Sequence, residues 1–131
     1  MTPRSRTPRS DGRPSDPEAF LPLTAVAFEV LLGVASGCRH GYAILRDIEE
    51  RTGGAMQLHA GTLYRSIFRL VDQGLLEELE DAPDPDEDDA RRRYYTMTDL
   101  GRRVAAAEAS RLADRVATAR TLKLLGRTRT V

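Results

Sequence analysis

The sequence predicts a mainly α chain carrying one small β-hairpin, and three observations lead there. Apolar residues recur at helical spacing in three successive stretches, roughly 23–36, 41–52 and 61–73. Two short segments rich in β-formers follow, parted by an acidic loop containing proline. A long alanine-rich stretch, 100 to about 125, then carries a seam of apolar side chains. A chain of 131 residues is about one domain long, enough for one core and not two.

The chain opens on a tail, residues 1–18, interrupted by Pro3, Pro8, Pro14 and Pro17 and too polar to bury much surface. Thr-Pro-Arg-Ser occurs twice in it, at 2–5 and 7–10. In the first helix Ala27, Val30, Leu31 and Val34 fall at i, i+3, i+4, i+7, while Phe28, Leu32 and Ala35 line a second apolar face. A helix apolar on two faces is buried all round or faces a partner. This run follows Arg4, Arg6, Arg9 and Arg13 and ends Ala35-Ser36-Gly37-Cys38, which resembles a lipoprotein export signal. Glu29 in its middle and the helical pattern beyond Cys38 argue against export.

The second helix buries Ile44, Leu45 and Ile48, turns Arg46, Asp47, Glu49 and Glu50 outward, and stops at Gly53-Gly54. The third points Leu63, Ile67, Leu70 and Val71 inward, with Tyr64 and Phe68 beside them, and stops at Gly74. Its opposite face holds Thr62, Arg65, Ser66, Arg69 and Gln73. Leu75–Glu80 and Arg93–Met97 read as strands, the second with aromatic and β-branched residues. Thr98 or Asp99 caps the last helix. There Ala105, Ala109, Leu112, Val116 and Ala119 alternate four and three apart, followed by Leu122, a coiled-coil-like dimerisation seam. After a complete small domain this helix has no core left to cover, so it is expected to pack on a second copy of the chain.

Three helices, a two-stranded wing and a long terminal helix are the order of a winged helix-turn-helix with a C-terminal dimerisation helix. The expected organisation is a disordered basic tail over 1–18, the winged domain over 19–97, the dimerisation helix over 98–126 and a flexible C-terminus over 127–131.

Charge is informative by distribution. Lysine plus arginine and aspartate plus glutamate both number 20, so the formal net charge is zero. Residues 72–90 nevertheless hold ten acids and no base, and 91–131 hold eleven bases against three acids. The polar face of the third helix suits a DNA major groove, where arginine reads guanine and serine or threonine reads several base edges. Arg65, Ser66 and Arg69 are the candidates for base contact. The tail is either a solvated extension, the favoured reading, or a basic arm on phosphates or in a minor groove. Asp81, Asp84, Asp86, Glu87, Asp88 and Asp89 in the wing loop oppose DNA. They weaken non-specific binding, dock on the arginine-rich tail, or form a solvated loop held clear of the backbone.

Other classes find little support. The chain holds no glycine-rich phosphate loop, nucleophile elbow or zinc helix motif, so neither an enzyme nor a cofactor is expected. Cys38, His40 and His59 are the only soft ligands and lack metal-site spacing. No run of 18 apolar residues exists, so no membrane span is expected and the location is read as cytoplasmic. Two alternatives stay open: a winged-helix protein–protein interaction module, and a metal- or redox-sensing regulator.

Arg39-His40-Gly41-Tyr42-Ala43-Ile44 resembles the start of the second helix in the PadR family of transcriptional regulators. Ala60-Gly61-Thr62-Leu63-Tyr64 resembles that family's opening of the recognition helix, and Leu70–Leu76, ending Gln73-Gly74-Leu75-Leu76, its exit. Arg92 through Gly101 is similar to its second wing strand and the start of its last helix. The resemblance covers about residues 21–120. It implies a homodimer that binds a double-stranded DNA operator, usually as a repressor, and leaves it on a small-molecule or other signal. It further implies that Tyr42, Thr62 and Tyr64 contact phosphates and that Arg92 and Arg93 lie at the wing. An effector is expected between the first and last helices, around Phe28, Leu32, Leu112 and Val116. The sequence departs from the family pattern at Arg65, where proline is common, in the acidic wing tip, in its short C-terminal region, and in having no tryptophan to stack a flat ligand.

Overall fold

Thr24, His40 and Thr98 set where three of the four helices begin. A residue just outside a helix lends a side-chain acceptor to an amide with no partner within the helix. Thr24 Oγ1 accepts from the Ala27 amide at 3.0 Å, His40 Nδ1 from Ala43 at 3.3 Å and Thr98 Oγ1 from Gly101 at 2.9 Å. The computed structural model describes residues 15–37, 40–79 and 93–126. They form α1 (Ala25–Ala35), α2 (Gly41–Arg51), α3 (Ala60–Asp72), β1 (Leu76–Glu78), β2 (Tyr95–Met97) and α4 (Asp99–Thr121). The expected tail from 1 to 14, Cys38, Arg39, Arg92, the acidic loop and residues 127–131 lie outside the described residues.

The strands pair antiparallel, with Leu76 opposite Met97 and Glu78 opposite Tyr95. An isolated bridge joins His40 to Tyr94, their rings edge to face at 5.6 Å, so the wing is tied to the start of α2. The core gathers Val30 and Leu31 from α1, Ile44 and Ile48 from α2, and Leu63, Ile67 and Leu70 from α3. Leu75, Leu76 and Tyr95 close it from the wing. This is the mainly α winged helix-turn-helix with a long last helix that the element order predicts.

Three expectations need correcting. Pro17–Phe20 forms a 3-10 turn rather than part of a structureless tail. Pro17 fits the first position of such a turn, Asp16 accepts from the Glu18 amide at 3.1 Å, and Phe20 rests on the core. The last helix does have core to cover. Val104 is fully buried, Ala105 packs beside it, and the first half of α4 lies against α1, β2 and the 3-10 turn. Phe68 is not a core neighbour but 44% exposed on α3.

Two charged pairs explain acids in apolar surroundings. Arg51 donates to Glu29 Oε1 at 2.5 Å, to the Glu29 carbonyl at 3.0 Å and to Asp47 at 2.6 Å, clamping α2 to α1. Partial burial works against the Arg51 charge, but the bonds to Asp47 and Glu29 outweigh it and raise its pKa. On α4, Glu108 is 2% exposed and accepts two bonds from Arg111, at 2.8 and 2.9 Å. Arg111 and the Leu23 backbone amide together hold the Glu108 carboxyl below its ordinary value, against the opposing effect of burial. The segment leading into α1 is thereby tied to α4.

A side chain at Gly101 would run into the Leu75 carbonyl, a backbone atom that cannot swing away. Gly101→Ala is therefore expected to destabilise by about 1–3 kcal/mol, as overpacking does, and to lower Tm by roughly 5 °C or more in a thermal melt. Glu108 provides a pH signature. Its folded pKa is lowered, so its contribution is full above the unfolded value and is lost as pH falls through the folded value. Denaturant titrations at neutral and acid pH should show Glu108→Gln less stable than wild type at pH ~7, with the gap narrowing below pH ~4.

Candidate nucleic-acid interface

Position along α3 decides which side chains meet solvent. Leu63, Ile67 and Leu70 face the core, so the opposite line of the helix is Gly61, Arg65, Phe68 and Asp72, with Arg69 alongside; all five are exposed. Thr62 and Ser66 are half-buried at the flank of that line. With Arg65, Arg69 and Gln73 they form one wall of an open cleft of about 470 Å³, whose other wall is Phe20, Pro22, Leu23, Thr24, Val26 and Ala27. The polar face read from the sequence is therefore turned partly toward the start of α1, and the outermost line of the helix includes Phe68.

Among the described residues, the two arginines of this face have no acidic partner. Arg65 makes a 3.4 Å hydrogen bond to Thr62 Oγ1, and no ion pair among the described residues involves Arg65 or Arg69. Cations left unpaired on an exposed helix face are available to phosphate oxygens or base acceptors.

Tyr42 stands on the first turn of α2 and is 59% exposed. Arg46, one turn on, donates to its hydroxyl at 2.9 Å and lies 5.6 Å from the ring centre, an arrangement that raises the guanidinium pKa. Arg46 was not among the site residues read from sequence. Its signal is the i, i+4 spacing from Tyr42, which places a cation beside an exposed aromatic.

Tyr64 has a packing role. Its ring is half-buried against the core, and its hydroxyl end lies over Gly41, where any side chain would collide with it. The Gly-Tyr at 41–42 and the Gly-Thr-Leu-Tyr at 61–64 thus meet in space. Tyr95 lies close enough to Tyr64 for the two to interact electrostatically; it is 1% exposed and its hydroxyl finds no partner among the described residues. Burial, then Glu78 and Tyr64, push its pKa up to about 12, with Arg93 acting in the other direction. On the wing, Arg93 pairs with Glu78 at 3.3 Å, both side chains exposed, and such a surface pair opens at little cost.

The residues expected at a dimer seam and an effector site lie on α1 and α4. Ala105 packs against the chain's own core, Ala109 is exposed, and Leu112 and Ala119 are half-buried. Val116 and Leu122 are exposed, as are Leu124 and Leu125 just beyond the helix. Phe28 and Leu32 are half-buried on α1. Neither the cleft beside α3 nor a second one, lined by Leu21, Pro22, Ala107, Ser110, Arg111 and Asp114 among others, includes Phe28, Leu32, Leu112 or Val116. Among the described residues no three His, Cys, Asp or Glu side chains are grouped to hold a metal, and no helix is long and apolar enough to cross a membrane.

Solved structures share this architecture. The complex structure of hsRosR, the RosR protein of H. salinarum, aligns with a TM-score of 0.62 at 27% identity, over 76% of this chain and 80% of that one. The PcaV transcriptional regulator from Streptomyces coelicolor, in complex with its natural ligand, aligns at 0.55 and 25% identity, over 79% of this chain and 64% of that one. A transcriptional regulator from Clostridium thermocellum shares the fold at 0.56 and 22% identity, over 86% of this chain and 96% of that one. No curated protein matches the sequence. The model of the transcriptional regulator PadR-like family matches residues 30–107, more than half of the chain, across α2, α3, the wing and the start of α4. By that match the chain belongs to the PadR-like family of DNA-binding transcriptional regulators.

Proposed function

We propose that the protein is a dimeric, sequence-specific repressor that binds a double-stranded DNA operator and leaves it when a small molecule or another signal changes the dimer. The observation that carries this reading is the exposed pair Arg65 and Arg69 on α3, both without acidic partners among the described residues. In the proposed division of labour Arg65, Ser66 and Arg69 read base edges, while Tyr42, Thr62, Tyr64 and the wing arginines Arg92 and Arg93 hold phosphates. Phosphate contacts fix register and base contacts fix sequence preference. Tyr42 and Arg46 at the start of α2 support the phosphate role, since a hydroxyl and a cation stand together there in solvent.

The second chain is proposed to seat along α4. Val116, Leu122, Leu124 and Leu125 are large apolar side chains left in water at one end of the molecule, and burying them would supply the driving force. Ala109, Leu112 and Ala119 continue the seam, while Ala105 serves the chain's own core. An effector near Phe28, Leu32, Leu112 and Val116 would need the partner helix to close its site. It would act by binding the DNA-competent and incompetent dimers with different affinity.

Electrophoretic shift against the DNA upstream of the protein's own coding region, with salt varied, tests the DNA reading. Affinity should fall steeply with salt, and Arg65→Ala and Arg69→Ala should each weaken binding. Where the lost contact is to phosphate, the log–log salt slope should shrink by about one. No binding even at low salt would instead favour a protein-interaction role. For the dimer, Val116→Asp with Leu122→Asp should convert the protein to a monomer in sedimentation equilibrium while leaving its far-ultraviolet spectrum intact. A double variant that stays dimeric would rule out this seam.

A further inference from the structure

Phe68 is the feature of α3 that the assigned contacts leave unexplained. It lies on the outermost line of the helix, three residues after Arg65 and seven after Gly61, and is 44% exposed. Its ring is held at 5.8 Å from Tyr64, tilted by 40°, and Tyr64 is itself fixed over Gly41. The ring is thus supported by Tyr64 and presented outward on the exposed face of α3. Arg65 and Arg69, exposed along one side of it, attract a polyanion to that surface.

We propose that Phe68 is a specificity-determining residue that reads the 5-methyl group of a thymine in each half-site. The inference rests on the operator reading above. The major groove offers hydrogen-bonding edges at every base pair, but its one apolar group is the thymine methyl. A phenyl ring has no donor or acceptor to give to base edges or phosphates, so a methyl is the group it matches. Cytosine and uracil at that position lack the methyl, and discrimination follows from apolar burial alone. Arg65 and Arg69 would bring the helix to the groove and select their own positions, while Phe68 adds preference for an A·T pair of fixed orientation.

The test isolates one methyl group. Duplexes selected from a random pool by the full-length protein would be resynthesised with deoxyuridine replacing each thymine in turn, which removes the methyl and leaves base pairing unchanged. Binding would be measured at low salt, so that weakened variants still bind. In wild type, one deoxyuridine position per half-site should lower affinity about three- to fivefold, the worth of roughly one buried methyl. In Phe68→Ala that penalty should vanish, and in Phe68→Leu, which keeps an apolar side chain, part of it should return. Arg65→Ala should bind more weakly overall yet keep the penalty. Absence of any deoxyuridine penalty, or a penalty unchanged in Phe68→Ala, would overturn the assignment while leaving the operator reading standing. Failure to select any duplex would instead remove the operator reading, and this inference with it.

Discussion

The junction where the wing hands over to α4 governs the geometry of everything around it. Thr98 donates through its hydroxyl to the Gly74 carbonyl at 2.6 Å and through its amide to the Leu75 carbonyl at 3.1 Å. The same hydroxyl accepts from the Gly101 amide and starts the helix. Gly101 then lets the helix lie directly on the Leu75 backbone. Four elements converge there: the exit of α3, the base of β1, the end of β2 and the first turn of α4. The direction of the last helix relative to α3 is therefore set by backbone contacts, which are stiffer than side-chain packing.

Much of this was legible from the sequence because the signals are local. Helical spacing, Gly53-Gly54 and Gly74 as stops, and Thr98 as a cap each specify an element without reference to distant residues. What the sequence hid depends on partners far along the chain. Glu29 looks misplaced in an apolar run until Arg51 arrives from 22 residues away to bond both its carboxylate and its carbonyl. Glu108 looks like an ordinary surface residue of a long helix, yet it is buried under Arg111 and Leu23. The bridge between His40 and Tyr94 spans more than fifty residues, and nothing in either local pattern announces it.

The candidate interface was legible in composition more than in orientation. Arg65 and Arg69 are exposed, but the helix is rotated so that Thr62 and Ser66 turn toward Thr24 and Val26. Phe68 comes forward in their place. Helical periodicity locates a polar face only to within about one residue step, since the apolar stripe it is measured against is itself some 100° wide. An aromatic at the border of that stripe is assigned to the core by habit of chemistry. Its true side depends on what Tyr64 already fills.

The two halves of α4 belong to different environments. The first is built into the core through Val104 and Glu108, and the second projects with Val116 and Leu122 bare. The helix runs unbroken through both, 23 residues or about 35 Å. It is therefore a lever with its fulcrum inside the DNA-binding body. A tilt imposed at the projecting end would not be absorbed by a hinge but delivered to the orientation of α3. In the proposed dimer, with two such levers, the distance between the two copies of α3 would become a mechanical readout of how the pair of long helices cross.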